Sequence, residues 1–370
     1  MSDMIVVGLG ADGSATAAEL AGRGEHVVGI EAFPRGHTLG SSGGLTRVIR
    51  LAYYEHPDYV PLLRRAWERW RKLEREMGVE LLRQVGGINV GPRDGRLVEG
   101  SYRSATEHRL DHELLSPDVL RARWPSFMFE KDWWALAEPM AGYLFPERCI
   151  EAHVALAERR GATLRFETRV TSISAYGKGV RVEAGREHFD AERVVVTAGA
   201  WNDRLLPQLA GLLHVDRVPL FWFEPVANKD ELARLPVYIV DGERERGWYG
   251  FPYLADQGLK AAPLGSGIAC DPDTVDRTTT EADAAPVISA LRRYLPSAAG
   301  ELRSSKVCMY TISPDEHFVI GMDGPIVYAS ACSGHGFKFS SVMGEVLADL
   351  ATSGRSGHDI EFLSRARFAA

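Results

Sequence analysis

Three glycines near the start of the chain, Gly8, Gly10 and Gly13, have the G-x-G-x-x-G spacing that can bind the pyrophosphate of a dinucleotide. Gly8 would allow a tight turn, Gly10 would let the backbone approach the phosphates, and Gly13 would let a helix pack closely on a strand. Glu31 ends the next apolar run, where a carboxylate can accept hydrogen bonds from ribose hydroxyls. Asp12 places a second carboxylate in the turn, where it would repel phosphate. The spacing favours a dinucleotide site over a glycine turn without a ligand, and it leaves NAD and FAD open.

Two arginines, Arg47 and Arg50, follow in the stretch SSGGLTRVIR, which contains two glycines and no acidic residue. A guanidinium is planar and can bind a carboxylate through two parallel hydrogen bonds. Lys338 is an isolated charge in an apolar segment after a glycine turn, which favours a functional role. Residue type alone favours a buried apolar role for Cys308 and an exposed position for Lys260.

The elements that must position these residues begin with the pattern strand, turn, helix, strand, with the strands at residues 4–7 and 27–30. Apolar strand patterns return at residues 162–173 and 192–202, and again in a strand–turn–helix segment that begins at residue 325. Strand patterns that occur this far along the chain are typical of a parallel sheet that is completed by distant segments. The sequence therefore predicts an α/β fold whose Rossmann-like cofactor domain is assembled from separated segments.

The chain of 370 residues is long enough for two domains. Stretches rich in aromatic residues and strand patterns separate the parts of the cofactor domain. We expect the cofactor domain to comprise residues 1–78, 145–208 and 306–370. A second, sheet-based domain that binds the substrate is expected to comprise residues 79–144 and 209–305.

The net charge of −7 gives no argument for a nucleic-acid partner or for an anionic membrane surface. No apolar run reaches the length of a membrane span, and the N-terminal residues lack the pattern of a signal peptide. The four cysteines show no CxxC pattern, and no cluster of cysteines, histidines and carboxylates predicts a metal site. These features predict a cytoplasmic protein without metal, nucleic-acid or membrane partners.

Several motifs taken together resemble those of the monomeric sarcosine oxidase family, FAD enzymes that oxidise N-methyl and other secondary amino acids. The resemblance covers nearly the whole chain and rests on the N-terminal turn with Glu31 and on GSSGGLTRVIR, YGFPYLADQGLK, DPDTVDR, CMYTISPDEHFVIG and SGHGFKFSS. It implies an FAD-binding domain of the glutathione-reductase or D-amino-acid-oxidase type, interleaved with an α+β domain of mostly antiparallel sheet. It also implies a monomer whose partners are a small secondary amino acid and molecular oxygen.

The resemblance implies a substrate site in which Arg50 and Lys338 bind the substrate carboxylate. Tyr249 would face the substrate with its hydroxyl, and Gly334 would present its backbone. Lys260 matches a lysine near the flavin N5 atom, where a positive charge would stabilise the superoxide formed when oxygen accepts an electron. Arg50, Lys338, Tyr249 and Lys260 are therefore the expected catalytic residues.

The resemblance also implies a set of cofactor contacts. Cys308 matches a cysteine that bonds covalently to the 8-methyl carbon of the flavin, and Arg47 matches an arginine near the flavin ring. Tyr310 is expected to border the substrate pocket. The expected FAD-binding residues are Gly8, Gly10, Gly13, Glu31, Ser41, Thr46, Arg47, Val170, Gly199, Cys308, Met309, Gly334, Gly336, Phe337 and Lys338.

Two positions depart from the family pattern, because Gly43 and Leu264 stand where sarcosine oxidases typically carry histidines. Gly43 is expected to free volume beside the flavin and to slow its covalent attachment. Leu264 is expected to make one wall of the substrate pocket apolar. The favoured substrate is sarcosine or a related N-methyl amino acid, and the alternative is a larger or cyclic one, similar to N-methyltryptophan or pipecolate.

Three other functions remain as alternatives, two enzymatic and one without catalysis. A flavin dehydrogenase of the same fold would pass electrons to an acceptor other than oxygen, which Lys260 argues against. A nicotinamide-dependent dehydrogenase would share the N-terminal turn, but Cys308 and the strand patterns at residues 192–202 and from residue 325 argue against it. A protein that binds the cofactor without catalysis is disfavoured, because Arg50, Lys260 and Lys338 are all present.

Overall fold

The chain folds into strands and helices in the computed structural model, which describes residues 2–242, 247–265 and 267–368. The strands are β1 (Ser2–Val7), β2 (Val27–Ile30), β3 (Arg47–Ile49), β4 (Leu82–Gln84), β5 (Gly87–Gly91), β6 (Glu113–Leu115), β7 (Trp134–Glu138), β8 (Gly142–Leu144), β9 (Thr163–Arg165), β10 (Ser172–Tyr176), β11 (Gly179–Ala184), β12 (Glu187–Val196), β13 (His214–Phe223), β14 (Val237–Val240), β15 (Trp248–Gly250), β16 (Leu259–Pro263), β17 (Leu302–Ile312), β18 (Val319–Asp323) and β19 (Ile326–Ser330). The helices are α1 (Ala11–Gly22), α2 (Tyr59–Met77), α3 (Arg96–Glu107), α4 (Pro117–Arg123), α5 (Pro146–Arg159), α6 (Asn202–Leu205), α7 (Lys229–Leu232), α8 (Glu281–Tyr294) and α9 (Ser340–Ser353).

The first sheet joins segments that are far apart in the chain. Its strand order is β10-β11-β12-β1-β2-β9, and β19 pairs with β12 and with β18. The pairs β12–β1, β1–β2, β2–β9 and β12–β19 are parallel, whereas β10–β11–β12 and β18–β19 are antiparallel. Because the carboxyl ends of parallel strands meet at one edge of a sheet, the loops after β1, β2, β12 and β19 lie together and can form a ligand site.

Helices α1, α5 and α9 pack together and contribute, with strands of the first sheet, to one apolar core. Helix α2 carries its buried side chains at the three- and four-residue spacing of an amphipathic helix and packs on α9. It ends at Met77 and is capped by Gly78, whose φ of 67° is readily adopted by glycine. Within this core the indole nitrogen of Trp70 donates a hydrogen bond of 2.9 Å to the carbonyl oxygen of Lys338. Helix α2 thereby fixes the backbone of a predicted substrate-binding lysine.

The second sheet has the order β17-β13-β16-β15-β14-β5-β7-β6 and is antiparallel except for the pair β14–β5. Side chains alternate between the faces of a strand, and β13 shows the consequence. Phe221 and Phe223 enter a core shared with α8, whereas Leu220 and Trp222 enter a cluster that also contains Cys308 and Tyr249. One face of this sheet is therefore structural, and the other faces the predicted site.

A third sheet of three short strands, β3-β8-β4, positions the arginine-rich stretch. Arg47 is paired with Leu144 and Ile49 with Gly142 in an antiparallel ladder. Because β3 ends at Ile49, Arg50 follows directly at its carboxyl end. The two arginines are thus held at opposite ends of one short strand.

The predicted domain boundary at residue 306 lies inside β17, which pairs with β13 along its length. Cys308 is opposite Val218 in this ladder and so belongs to the second sheet. The division of the chain into two interleaved domains stays a prediction. The predicted strand at residues 162–173 is observed as β9 and the beginning of β10, with an irregular segment between them.

Candidate active site

The N-terminal turn has the geometry that its glycines predict. Gly8 has a φ of 86°, and a Cβ atom on Gly13 would lie only 1.7 Å from the carbonyl oxygen of Gly8, so both positions require glycine. A Cβ on Gly10 would meet no atom within 4 Å, which leaves an open space in front of this turn. The carboxylate of Glu31 accepts hydrogen bonds from the backbone nitrogens of Leu9 at 2.8 Å and Phe33 at 3.1 Å. Glu31 therefore orders the turn and keeps acceptor capacity for a ribose.

Asp12 lies in the first turn of α1 and lines the same space. Burial raises the pKa of this carboxyl group to about 7. A carboxyl group with this pKa can remain protonated near neutral pH and then does not repel phosphate. The structure thus gives a physical reason why an acidic residue is tolerated in a phosphate-binding turn.

Two cavities adjoin in the part of the chain that the structure describes. The larger has a volume of about 380 Å³ and follows the carboxyl edge of the first sheet. The smaller has a volume of about 220 Å³ and lies between β3, the second sheet and the turn before α9. Ser41, Cys332 and Phe337 line both cavities. A dinucleotide in the larger cavity can therefore reach a small molecule in the smaller one.

Arg50 lines the smaller cavity, is almost fully buried, and is paired with Glu55. One terminal nitrogen of Arg50 donates to both carboxylate oxygens of Glu55, at 2.6 and 2.8 Å. Burial lowers the pKa of Arg50, but the charge of Glu55, its hydrogen bond and the contacts with Tyr53 and Tyr54 together outweigh this effect, and the pKa is raised overall. The Nε atom of Arg50 is buried without a partner among the described residues. Arg50 is therefore a permanent cation with one unused donor.

Lys338 lies in the same cavity, and its ammonium group donates to the carbonyl oxygen of His335 and, at 3.4 Å, to the hydroxyl of Tyr53. Its side chain is buried, and the ammonium group lies 5.1 Å from the centre of the Tyr53 ring. Burial, followed by repulsion from Arg50, lowers the pKa of Lys338 to about 7. The two cations make the smaller cavity a site for an anion.

The remaining wall of the smaller cavity is apolar, with Tyr249, Leu264 and Tyr310 among its residues. Gly334 has a φ of 79°, and a Cβ on it would lie 2.9 Å from the Tyr310 ring. Glycine is therefore needed at this position to let the backbone form the wall beside Tyr310. Leu264 makes part of the wall apolar, as its residue type predicts.

Lys260 is buried and does not line either cavity. Its ammonium group donates hydrogen bonds of 2.7 Å to the carbonyl oxygens of Gly44 and Thr46. It lies 5.3 Å from the centre of the Trp222 ring and 4.8 Å from that of Phe251. Burial lowers the pKa of Lys260 well below its ordinary value. Lys260 is thus held behind the backbone of the loop at residues 40–46, called here the glycine-rich loop.

Cys308 is buried behind the same loop, on β17. Its sulfur accepts a hydrogen bond of 3.2 Å from a terminal nitrogen of Arg47, and its thiol donates to the carbonyl oxygen of Ser41 at 3.3 Å. Ser41 lines both cavities, so the thiol lies one residue behind the cavity wall. Met309 enters a different apolar cluster, with Val215, and its contact with the cofactor stays a prediction.

The volume that Gly43 was expected to free is already filled. A Cβ atom on Gly43 would lie 2.9 Å from the Cβ of Thr38 and 3.2 Å from the ammonium nitrogen of Lys306. Two side chains from other parts of the chain therefore occupy the position where a larger residue would extend. The expectation of an open space at this position is wrong for this reason.

The structure gathers most of the predicted residues around the two cavities. Those that line the larger cavity are Gly8, Gly10, Glu31, Ser41, Val170, Gly199 and Phe337. Those that line the smaller one are Ser41, Arg47, Arg50, Tyr249, Leu264, Tyr310, Gly334, Gly336, Phe337 and Lys338. Those that line neither are Gly13, Thr46, Lys260, Cys308 and Met309.

Sequence reasoning missed several residues of the smaller cavity. Glu55 follows Arg50 by five positions, and this acidic residue close to an arginine was a signal that could have been used. Ile239 and Ile312 come from two strands of the second sheet and carry no motif. Arg96, with Glu316, forms an exposed ion pair of 3.6 Å at this cavity, from segments that the sequence does not connect.

Comparison with known proteins places these features in a family. The family described as DAO, FAD dependent oxidoreductase, matches residues 3–350. A monomeric sarcosine oxidase from Streptomyces avermitilis is 39% identical over 376 residues, which cover 100% of this chain and 98% of the relative. An N-methyl-L-tryptophan oxidase from Yersinia pestis (strain Pestoides F) is 34% identical over 371 residues, which cover 99% of each chain.

A solved structure of the Tyr-to-Phe mutant of NikD, an amino acid oxidase essential for nikkomycin biosynthesis, has the same fold. Its TM-score is 0.88 at 23% identity, and the alignment covers 98% of this chain and 96% of that one. The fold and the dinucleotide cleft therefore define an FAD-dependent oxidoreductase.

Within this class, the chain belongs to the monomeric sarcosine oxidase family. The sequence-based predictions of the family, of the fold class and of an FAD-dependent amine oxidoreductase are confirmed.

The residues present fit FAD. The glycine turn leaves an open approach at Gly10, and the hydroxyl group of Ser41, which lines both cavities, is buried without a hydrogen-bond partner among the described residues. Helix α1 directs its amino terminus at the larger cavity, which favours phosphate. In the described part of the chain, no group of three or more histidines, cysteines and carboxylates is arranged to hold a metal ion. Among the described helices, none has both the length and the hydropathy needed to cross a membrane.

Proposed function

We propose that the protein oxidises the C–N bond of a secondary amino acid, sarcosine or a related N-methyl amino acid, with molecular oxygen as electron acceptor. The products would be an imine, which water hydrolyses to an amine and an aldehyde, and hydrogen peroxide. The observation that carries the proposal is the pair of buried cations, Arg50 and Lys338, in a small cavity that adjoins the FAD cleft. The names of the relatives support the same substrate class.

The side chains of the smaller cavity would bind and orient the substrate. Lys338 and the unused Nε–H donor of Arg50 would hold the carboxylate. The ion pair between Glu55 and Arg50 would weaken when the carboxylate binds. Tyr249 and the backbone at Gly334 would confine the amine end against the FAD cleft. When bound, FAD accepts the two electrons that leave the substrate C–H bond. The apolar wall excludes water and favours the neutral amine, which has the free electron pair that oxidation needs.

Lys260 would serve the reaction with oxygen. Its ammonium group is fixed by two backbone carbonyl groups in a site away from solvent, where a charge acts strongly on a developing anion. This position supports an oxidase over a dehydrogenase that uses another acceptor.

Cys308 is the proposed point of covalent attachment. The thiol and the 8-methyl carbon of the flavin would each lose one proton, and the sulfur would form a bond to that carbon. The two electrons released would pass to oxygen, which leaves as hydrogen peroxide with both protons. Arg47 supports this role, because its guanidinium donates a hydrogen bond to the sulfur and so holds it in place.

A larger or cyclic secondary amino acid is the second candidate substrate. Leu264, Ile239 and Ile312 line one cavity with the two cations, and together they provide an apolar surface for a side chain. Such a surface gives a bulkier substrate buried area that sarcosine does not use. From the sequence we also propose that the protein is a monomer and that it is located in the cytoplasm.

The test is the release of hydrogen peroxide by the purified flavoprotein. Sarcosine, N-methyl-L-tryptophan, L-proline and L-pipecolate would be compared at equal concentrations. Rapid turnover of sarcosine supports the first candidate, and turnover only of the bulkier compounds supports the second. If flavin reduction occurs without peroxide, an acceptor other than oxygen is used, and absence of reduction by every compound refutes the substrate class. Leu264→His should shift the ratio of kcat/KM values toward sarcosine, with Leu302→His on the exposed part of β17 as a matched control.

A further inference from the structure

Lys306 has a position that the proposed function does not use. It lies two residues before Cys308 on β17, so both side chains project from the same face of the strand. The sulfur of Cys308 contacts the carbonyl oxygen of Ser41, and the ammonium nitrogen of Lys306 lies 3.2 Å from the position that a Cβ atom on Gly43 would take. Both side chains thus reach the segment at residues 41–43 that lines the FAD cavity.

The ammonium group of Lys306 has no hydrogen bond or ion pair within residues 2–242, 247–265 and 267–368. Its side chain is half-buried, and Arg47 and Arg277 repel it, while Glu147 attracts it. Glu147 is already engaged, because its carboxylate accepts hydrogen bonds from the backbone nitrogens of Gly44 and Leu45. Arg277 is likewise held in place by the carbonyl oxygen of Leu39.

Lys306, Arg47, Arg277 and the engaged carboxylate of Glu147 therefore interact beside the segment at residues 41–43, which lines the FAD cavity. Burial lowers the pKa of Lys306, which agrees with an ammonium group that is partly removed from water and has no paired anion. Such an arrangement is unfavourable in the protein alone and becomes favourable when an anion is bound. FAD is the group that the cavity fits, and its ring system gains negative charge when it accepts electrons.

We propose that Lys306 is a cofactor-contact residue whose ammonium group stabilises negative charge on the flavin ring beside Cys308. The absence of a side chain at Gly43 is part of this site, because a Cβ there would lie 3.2 Å from the Lys306 nitrogen. The proposal rests on the FAD site of the family and does not depend on the identity of the amine substrate. It assigns to this end of the cleft a charge that the motifs of the sequence do not indicate.

The test uses sulfite, which adds reversibly to the N5 atom of an oxidised flavin and leaves the ring negatively charged. The holoproteins with Lys306→Met, Lys306→Gln and Lys306→Arg would be titrated with sulfite, and the loss of visible flavin absorbance gives Kd. We expect Kd to rise at least tenfold in the two neutral variants and to stay within threefold of the original value in the arginine variant. The matched control is Lys178→Met, which removes an exposed ammonium group from the turn between β10 and β11.

The midpoint potential of the flavin gives a second reading. A tenfold loss of affinity for the two-electron-reduced ring corresponds to a fall of about 30 mV in the neutral variants. A rise in Kd smaller than tenfold in Lys306→Gln overturns the proposal, as does a rise of more than threefold in the arginine variant. If Lys306→Met does not retain flavin, Lys306→Gln and Lys306→Arg decide by the same criteria. Because sulfite reacts without an amine, failure here is distinct from failure of the peroxide assay.

Discussion

Lys338 should make the binding of a substrate carboxylate depend on pH. Burial and the nearby charge of Arg50 lower the pKa of Lys338 to about 7, so its ammonium form is present below this pH and is lost as the pH rises. At pH 9, two units higher, about one molecule in a hundred still carries the charge. If the carboxylate requires this charge, its Kd rises about 50-fold between pH 7, where half of the molecules are charged, and pH 9, which is about 2.3 kcal/mol.

The assay needs a ligand that does not titrate in this range. The thioether analogue of sarcosine, with sulfur in place of the amine nitrogen, keeps the carboxylate and carries no amine. Its Kd would be measured between pH 6 and pH 9 from the change in flavin absorbance. Arg50 remains charged throughout, because its pKa is raised, and Glu55 remains ionised, because the charge of Arg50 lowers its pKa despite burial.

Glu138 is a neighbouring group whose titration could produce the same rise of Kd with pH. Glu138 accepts hydrogen bonds from the backbone nitrogens of Leu51 and Ala52, and burial raises its pKa to about 7. The pH dependence should therefore disappear in Lys338→Met and persist in Glu138→Gln. A Kd that is constant in the original protein, or a slope that survives in Lys338→Met, would refute the reasoning.

The other predictions concern the turn, the ion pair and the oxygen site. Gly13→Ala should abolish FAD binding and lower the Tm of the apoprotein, because the added Cβ would lie 1.7 Å from a carbonyl oxygen. Gly10→Ala should leave the apoprotein Tm unchanged and reduce only the flavin content, since its Cβ would meet no protein atom; an equal loss of Tm in both variants would contradict this. Glu55→Gln should lower the KM of the amino acid several-fold by releasing Arg50, and it should also lower the free energy of unfolding by ~3–5 kcal/mol, because a buried ion pair loses one partner. An unchanged KM in steady-state kinetics would show that Glu55 does not compete with the substrate. Lys260→Met should slow flavin reoxidation by oxygen ~10²–10³-fold in stopped-flow experiments and leave flavin reduction by substrate nearly unchanged. Equal slowing of both half-reactions would remove the case for a role in oxygen activation.

The sequence by itself determined the dinucleotide turn and the family. Gly8 and Gly13 are required by a positive φ and by a backbone contact, both of which depend on residues close together in the chain. The late strands β12 and β19 were recognisable as buried strands from their apolar runs. Local requirements of this kind leave a trace in residue type and spacing, which is why they could be read without coordinates.

Only the tertiary structure decided how the charges of the site are arranged. Lys260 and Lys306 come from two strands of the second sheet, yet both reach the glycine-rich loop near the start of the chain. The engagement of Arg50 by Glu55 and the filling of the space beside Gly43 also depend on packing. The physical reason is that burial, pKa and ion pairing depend on which sheets pack face to face. Strand pairing brings together residues hundreds of positions apart, and residue spacing carries no record of it.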